Sequence, residues 1–261
     1  MTDQGETSEF DQQAFAMAFP AGVERNFWHL ARNRIVEKEI ANAVKKGLIQ
    51  RDDPILEIGC GPGVVVKNLR DRGWLVFGSE LGAPVVLSGC EGFIWTGQSA
   101  IHLDEKFRRS VSCILVLDVI EHVEDHVGFL KDIVEAFTAI RCIILTIPAR
   151  MEVWSNYDEY YGHHRRYDRR IMAKTLHDAG LVPIQQKYFF HSLYIAAAVL
   201  RLLKIRREVK ISATKRPFFD RLAAWFLYTE SRMLLPGMPG LSLLTTATPI
   251  YRTHSDRKIV L

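Results

Sequence analysis

The residues best suited to chemistry begin with a glycine-rich run, in which Gly59, Gly61 and Gly63 follow the acid Glu57. A short apolar stretch precedes the glycines and predicts a buried strand, and residues 64–70 can form a helix. A strand that turns sharply into a helix needs residues without a Cβ, both for the turn and to let a ligand approach the backbone. The first turn of the helix then offers unpaired N–H groups to that ligand. The spacing differs from the G-x-G-x-x-G of dinucleotide sites, and a purely structural turn is the alternative.

Glu80 is a second acid, which follows the strand predicted for residues 75–78. It lies near the distance after the glycines at which an acid binds ribose in a βαβ unit. A carboxylate suits this task because it can accept hydrogen bonds from both ribose hydroxyls. We therefore expect Glu80, with Leu81 beside it, to contact a nucleoside-type cofactor; a surface glutamate is the alternative.

Polar and small residues also follow the next predicted strand, residues 93–96. If the fold is doubly wound, an adenine is expected at this strand end. The residues that would contact it are Gln98, Ser99 and Ala100.

Two acids and a histidine follow the fully buried strand predicted for residues 111–117, namely Asp118, Glu121 and His122. Open α/β sheets bind ligands at the carboxyl ends of their strands. This cluster therefore predicts a functional edge of the sheet.

Residues 23–46 show the apolar periodicity of a helix, and Trp28 and Arg32 share one face of it. We expect this helix to cover the cofactor pocket, with Trp28 shaping a lid and Arg32 meeting a carboxylate of the cofactor. Helix packing with a solvated arginine is the alternative.

The segment 154–167 combines aromatic residues, histidines, arginines and acids. We expect a loop here, followed by a helix over residues 168–179 that ends at Gly180. Hydrogen bonds and aromatic packing that pin this helix are the structural interpretation of the loop. An arginine in it could also bind an acidic or phosphorylated substrate.

Further apolar runs complete a fold of the α/β class. Strands are predicted over residues 142–148, 182–188 and 241–249, and Asp125 caps a helix that extends to about Phe137. The pattern predicts a Rossmann-like, doubly wound, mostly parallel seven-stranded sheet with helices on both faces. We divide the chain into a flexible tail, residues 1–18, and a domain, residues 19–261, with a helical insertion at 189–240 before the last strand.

Composition restricts the class of protein. Of the 261 residues, 48% are hydrophobic, which is enough for a full core, and a net charge of +4 is too mild to indicate a nucleic-acid partner. No apolar run is long enough to span a bilayer. The scattered cysteines predict neither a metal site nor disulfides and favour a reducing, cytoplasmic compartment. They are Cys60, Cys90, Cys113 and Cys142.

The insertion contains two apolar stretches, residues 192–203 and 218–228, on either side of a segment rich in lysine and arginine. We expect helices that pack on the core. The alternatives are a dimer face and contact of residues 189–228 with a membrane surface, because an apolar helix beside a basic stretch can lie in a membrane interface. The oligomeric state stays open.

Several motifs occur in a specific order: Ile-Leu-Glu-Ile-Gly-Cys-Gly-Pro-Gly from Ile55, Gly-Ser-Glu ending at Glu80, Leu-Asp-Val-Ile-Glu-His-Val from Leu117, and Ile-Pro-Ala ending at Ala149. With Asn-Phe-Trp-His-Leu-Ala-Arg before them, they resemble the class I methyltransferases that use S-adenosylmethionine, in the branch of the ubiquinone-biosynthesis O-methyltransferases. The resemblance covers about residues 19–190. One departure is residues 136–141, where the family often carries a Leu-x-Pro-Gly-Gly turn.

The resemblance implies S-adenosylmethionine as the cofactor, with the glycines around its methionine portion and Glu80 on its ribose. The implied cofactor-binding residues are Trp28, Arg32, Glu57, Gly59, Cys60, Gly61, Gly63, Glu80, Leu81, Gln98, Ser99, Ala100, Leu117, Asp118 and Val119. In that branch a Gly-His-x-x-Arg-Tyr stretch lines the substrate side of the pocket, and the matching residues here are His163, Arg166 and Tyr167.

An oxygen acceptor must lose a proton during methyl transfer, and histidine suits a base that works near neutral pH. The candidates are His122 and His163, with His164 third. The sequence shows no metal-ligand constellation, which disfavours metal-assisted deprotonation.

We therefore expect an O-methyltransferase that acts on a small-molecule or lipid-linked acceptor, such as a quinol precursor or a sugar lipid. The alternatives are N- or C-methyl transfer, a non-catalytic cofactor-binding partner module and a nicotinamide dehydrogenase.

Overall fold

A computed structural model describes residues 15, 17–206, 216–234 and 237–250. The described residues form a seven-stranded sheet with the order β3-β2-β1-β4-β5-β7-β6. Only β7 among these strands runs antiparallel to its neighbours, β5 and β6. The predicted mostly parallel, doubly wound sheet is thus confirmed. The strands are β1 Ile55–Ile58, β2 Val76–Glu80, β3 Ile94–Thr96, β4 Cys113–Leu117, β5 Cys142–Pro148, β6 Leu181–Phe189 and β7 Ser242–Pro249.

Helices cover both faces of the sheet. They are α1 Phe27–Lys45, α2 Val64–Arg70, α3 Glu105–Arg108, α4 His126–Ala136, α5 Asn156–Tyr160, α6 Arg169–Asp178, α7 His191–Leu202 and α8 Pro217–Met233. Short 3-10 helices add Val23–Arg25, Ala100–His102 and Met151–Val153.

The side chains of the central strands alternate between two hydrophobic cores. Leu115 and Leu117 of β4 pack in the core shared with α1, α2 and α8. Ile114 and Val116 pack in the core shared with α4 and α6. A strand that is buried on both faces has a continuous apolar run, which explains why β4 was predictable.

Two elements differ from the prediction because side chains cap the backbone. The helix expected over residues 23–46 is divided at Asn26, which has an extended backbone and accepts a hydrogen bond from the Trp28 N–H, so that α1 begins at Phe27. The loop expected over residues 154–167 contains α5. A capping box between Ser155 and Asp158 starts that helix.

The helices α7 and α8 come between β6 and β7 in the sequence, where the insertion was expected. Ala224 and Leu227 of α8 are buried in the core shared with α1, and the Phe27 N–H at the start of α1 donates to Asp220 of α8. Within the described ranges, every helix is too short or too polar to pass through a bilayer.

Candidate cofactor and acceptor site

A cavity of about 1360 Å³ lies at the carboxyl ends of β1, β2 and β4, beneath α1 and α7. Parallel strands end at the same edge of a sheet, so residues that are distant in sequence meet there. Nearly all the predicted cofactor-binding residues line this cavity. They are Trp28, Arg32, Glu57, Gly59, Cys60, Gly61, Glu80, Leu81, Gln98, Ser99, Ala100, Leu117, Asp118 and Val119.

The glycine loop between β1 and α2 approaches its neighbours too closely for side chains. Gly59 has φ +71°, and a Cβ there would lie 2.7 Å from Cγ2 of Val119 in the cavity wall. Gly61 has φ +54°, and its Cβ would lie 3.0 Å from the Phe19 ring. The loop therefore presents bare backbone to the cavity.

Gly63 has a different role from the one predicted, because it does not line the cavity. It precedes α2 with φ +94°, and a Cβ there would lie 2.3 Å from Cδ1 of Ile94. Close packing of the loop against β3 therefore requires this glycine, and the prediction that it contacts the cofactor is corrected.

Glu80 ties the loop to the end of β2. Its two carboxylate oxygens accept hydrogen bonds from the Gly61 and Gly82 N–H groups, each at 2.9 Å. A carboxylate oxygen has two lone pairs, so each oxygen can accept one further bond from a ligand in the cavity. The geometry is compatible with the predicted contact to ribose hydroxyls.

Asp118 and Arg32 form an ion pair across the cavity wall. Asp118 has a left-handed backbone with φ 55°, which aspartate tolerates better than most residues, and it accepts a hydrogen bond of 3.1 Å from the Thr146 hydroxyl. Arg32 is buried, so the alternative of a solvated arginine is wrong. Trp28 packs with its ring centre 4.5 Å from that of Phe190, and both helix residues lie on the cavity as predicted.

Glu57 brings a buried carboxyl group to the cavity. Burial raises its pKa to about 8, and the nearby Glu80 and Asp118 carboxylates add to the shift while Arg32 opposes it. Within the described ranges, Oε2 of Glu57 has no hydrogen-bond partner. A cationic group bound beside it would compensate for the missing partner.

Glu121, His122 and His163 meet in the part of the cavity that is expected to hold the acceptor, which we call the acceptor side. Their potential ligand atoms all lie within 4.8 Å of one another, and the two histidine rings pack edge to face with centres 4.8 Å apart. Burial, together with the electrostatic effect of the neighbouring His163, lowers the pKa of His122 to about 4, so this ring is neutral at pH 7. Burial and the adjacent Asp118 raise the pKa of Glu121 well above its ordinary value.

These three groups could hold a divalent metal ion, which the sequence did not predict. Glu121 and His122 are adjacent in the chain, but His163 comes from the segment after β5. Such a set leaves no short ligand spacing in the sequence, because His163 lies far along the chain from the other two residues.

Asp158 holds His163 in place. The carboxylate lies 2.9 Å from Nδ1 of His163 and accepts bonds of 2.7 and 3.0 Å from Arg166. Burial alone would raise the pKa of Asp158, but the hydrogen bonds from His163 and Arg166 lower it to about 2. Asp158 is therefore an ionised acceptor, and Nδ1 of His163 must donate to it.

Arg166 also donates to the Ala149 carbonyl at 3.0 Å. Each of its three guanidinium nitrogens thus contacts a protein acceptor, either the Asp158 carboxylate or this carbonyl. We therefore assign Arg166 to positioning Asp158 and His163, although it lines the cavity.

Two predicted catalytic candidates do not lie on the cavity. Tyr167 is fully buried in the core and donates its hydroxyl to the Ile120 carbonyl, because a ring this large packs best between the sheet and its helices. His164 is exposed, and its backbone N–H donates to the Glu121 carbonyl. Two predictions are therefore corrected: Tyr167 does not line the substrate side of the cavity, and His164 is not placed to act as a base there.

The acceptor side has a wall that the sequence did not assign to the site. Helix α7 contributes small and apolar residues at helical spacing, and the segment after β5 contributes aromatic residues. The period was visible within residues 192–203, but which face would meet the cavity was not. These wall residues are Trp154, Tyr157, Tyr161, Leu193, Ala196, Ala197 and Leu200.

Comparisons with known proteins bear on the family and the fold of this chain. The sequence model of a family described as "Methyltransferase domain" matches residues 27–186. A search of curated proteins gave no match.

Solved structures show a shared fold at low identity. The chain is similar to the plantazolicin methyltransferase BamL in complex with a triazolic desmethylPZN analog and SAH, with a TM-score of 0.53 and 11% identity over 91% of this chain and 88% of that chain. It is also similar to a protein assigned as a sarcosine dimethylglycine methyltransferase from Galdieria sulphuraria, with a TM-score of 0.51 and 14% identity over 84% of this chain and 86% of that chain.

Proposed function

The chain belongs to the methyltransferase domain family, and we propose that it methylates an oxygen of a small-molecule or lipid-linked acceptor, such as a quinol or a sugar lipid. The expected class, a class I methyltransferase that uses S-adenosylmethionine, is confirmed. The relation to the ubiquinone-biosynthesis O-methyltransferases is part of the proposal.

The polar groups of the cavity fit the cofactor. The unpartnered Oε2 of Glu57 and the Arg32–Asp118 pair suit the ammonium and carboxylate of its amino-acid portion. The bare backbone at Gly59 and Gly61 leaves space for that portion, and Glu80 can accept from the ribose. When bound, S-adenosylmethionine supplies a methyl group on a sulfonium, which is already a good leaving group.

The observation that supports an oxygen acceptor is the presence of two histidines, His122 and His163, beside the proposed cofactor residues. A hydroxyl must lose its proton as the methyl group is transferred, and a positioned base supplies this step. Donation from Nδ1 of His163 to Asp158 selects the tautomer whose Nε2 accepts a proton. His122 is kept neutral beside it and does not repel the imidazolium that forms.

The wall of the acceptor side supports a large, partly apolar acceptor. Aromatic rings of Trp154, Tyr157 and Tyr161 and the apolar face of α7 line the cavity beyond the histidines. Apolar walls with a few polar groups orient a ligand and exclude water, which aligned methyl transfer requires.

The test is an acceptor panel that contains a catechol-type quinol precursor, a sugar lipid and an amine, with release of S-adenosylhomocysteine and product mass as readouts. We expect methylation of a hydroxyl. The rate should fall roughly a hundredfold or more in His163→Asn and stay unchanged in His164→Asn, the exposed neighbour. Binding of S-adenosylmethionine should persist in both variants.

Two outcomes contradict the proposal. Methylation of the amine alone would make the enzyme an N-methyltransferase. A rate that EDTA abolishes and Mg²⁺ restores would indicate that Glu121, His122 and His163 bind a metal ion. It would contradict the assignment of His163 as the general base.

A further inference from the structure

Two helices of the insertion present apolar side chains to the surface. On α7 these are Ile195, Val199 and Leu202, of which Leu202 is 81% exposed. The spacing of three and four residues places them on one face of the helix. We call the exposed apolar residues of α7 and α8 the insertion face.

Helix α8 adds larger side chains to the insertion face. Its exposed apolar residues again follow helical spacing, and Phe218 in the first turn is 72% exposed. The opposite side of α8, with Ala224 and Leu227, is buried against the core. Isolated exposed apolar residues are ordinary, but a contiguous set of this size marks an interaction surface. The exposed set on α8 is Phe218, Phe219, Leu222, Trp225, Phe226 and Met233.

Among the described residues of α7, α8 and their ends, the exposed charged side chains beside the insertion face are basic. Lys204 and Arg206 follow α7, and Arg216 precedes α8; all three are exposed. Helix α7 contains no acid. Both acids of α8 are engaged elsewhere, since Asp220 accepts from the Phe27 N–H and Glu230 from the Ser192 N–H.

The insertion face adjoins the acceptor side of the cavity. Helix α7 lines the cavity with Leu193, Ala197 and Leu200 and turns Ile195 and Val199 outward. Lys204 and Arg206 also border the cavity. A molecule held at the insertion face would therefore be next to the opening that leads to the histidines.

We infer that the insertion face docks on the surface of an anionic lipid bilayer, from which the acceptor enters the cavity. Large apolar side chains with basic neighbours suit the interface between acyl chains and anionic headgroups. A second copy of this chain would bring the same cations together, so charge complementarity favours the lipid. The inference deepens the proposed function, because a lipid-linked acceptor resides in such a surface.

The test is flotation of the full chain with vesicles of phosphatidylcholine alone or of equal parts phosphatidylcholine and phosphatidylglycerol. We expect binding to the anionic vesicles, and much weaker binding to the neutral vesicles and at high salt. The double variant Leu202→Ser/Phe218→Ser should lose binding, while Val85→Ser, which alters an exposed valine on the loop after β2, should bind as the wild type does.

A second pair of variants tests the charge. Lys204→Gln/Arg206→Gln should weaken binding to anionic vesicles roughly tenfold or more, whereas Lys106→Gln, at an exposed lysine of α3, should leave it unchanged. Retained binding of S-adenosylmethionine shows that each variant is folded.

Absence of binding to anionic vesicles, or binding that survives Leu202→Ser/Phe218→Ser, would overturn the inference. So would a dimer in sedimentation that these substitutions dissociate, since a second copy would then cover the face. Vesicle binding requires no methyl transfer, so its failure would leave the proposed O-methylation standing.

Discussion

At the scale of residues, Glu57 is a carboxyl group of the cofactor region whose protonation depends strongly on its surroundings. It is buried, it lies near the carboxylates of Glu80 and Asp118, and its pKa is raised to about 8. The folded protein therefore keeps a proton that the unfolded chain releases above about pH 4.5. The contribution of Glu57 to stability therefore falls as the pH rises between these two values.

Glu57→Gln removes this titration while keeping the shape of the side chain. Without the cofactor, we expect the variant to match the wild type in Tm near pH 5 and to exceed it by several degrees at pH 8. Thermal unfolding at both pH values checks this, with Glu105→Gln on the exposed helix α3 as the control. Equal Tm values for Glu57→Gln and the wild type at pH 8 would show that Glu57 is ionised without cost.

Individual site residues were predictable where the backbone dictates their position. Glu80 and Asp118 end parallel strands, and such residues point to the ligand edge of the sheet. Tyr167 was assigned wrongly because the sequence does not reveal whether a tyrosine faces a cavity or the core. The meeting of His122 with His163 depends on the path of the chain after β5, which no local pattern encodes.

At the scale of elements, the glycine loop between β1 and α2 is the part of the site where added volume is least tolerated. Gly59 and Gly47 share φ +71°, but only Gly59 has a neighbour in the way, the side chain of Val119. A Cβ costs about 1–2 kcal/mol in this conformation wherever it is placed. The effect on the cavity should separate the two positions.

We expect Gly59→Ala to weaken the binding of S-adenosylmethionine at least about tenfold, because Val119 must move within the cavity wall. Gly47→Ala, which has nothing within 4 Å, should lower Tm through its backbone conformation alone and leave the Kd unchanged. Calorimetric titration and thermal unfolding of both variants measure this. Equal Kd values in the two variants would show that the glycine loop does not contact the cofactor.

The elements were predictable to the extent that burial leaves a periodic pattern. The strands β1, β4 and β5 were found because they are buried on both faces, and α4 and α6 because Asp125 and Asp168 cap them. Helix α5 was missed because its polar residues show no apolar period. Its capping box at Ser155 and Asp158 was the signal that could have located it.

At the scale of the whole molecule, one cavity contains both the region proposed for the cofactor and the region proposed for the acceptor. The ends of β1, β2 and β4 supply the residues proposed to bind the cofactor, while the segment after β5 and α7 supply the proposed acceptor side. The cofactor half follows from the topology of the sheet, and it was the half that the sequence predicted. The acceptor half comes from the insertion and from loops, whose arrangement depends on tertiary packing. Phe15 and Ala18, which were expected in the tail, are buried and line the same cavity.

The most direct test is isothermal titration of the full chain with S-adenosylmethionine and, separately, with NAD. The variants Glu80→Ala and Glu105→Gln are titrated with S-adenosylmethionine in the same way. We expect micromolar binding of S-adenosylmethionine that weakens at least about tenfold in Glu80→Ala and is unchanged in Glu105→Gln, and we expect no binding of NAD. Absence of binding, or affinity that Glu80→Ala leaves intact, would contradict the assignment of this cavity to the cofactor.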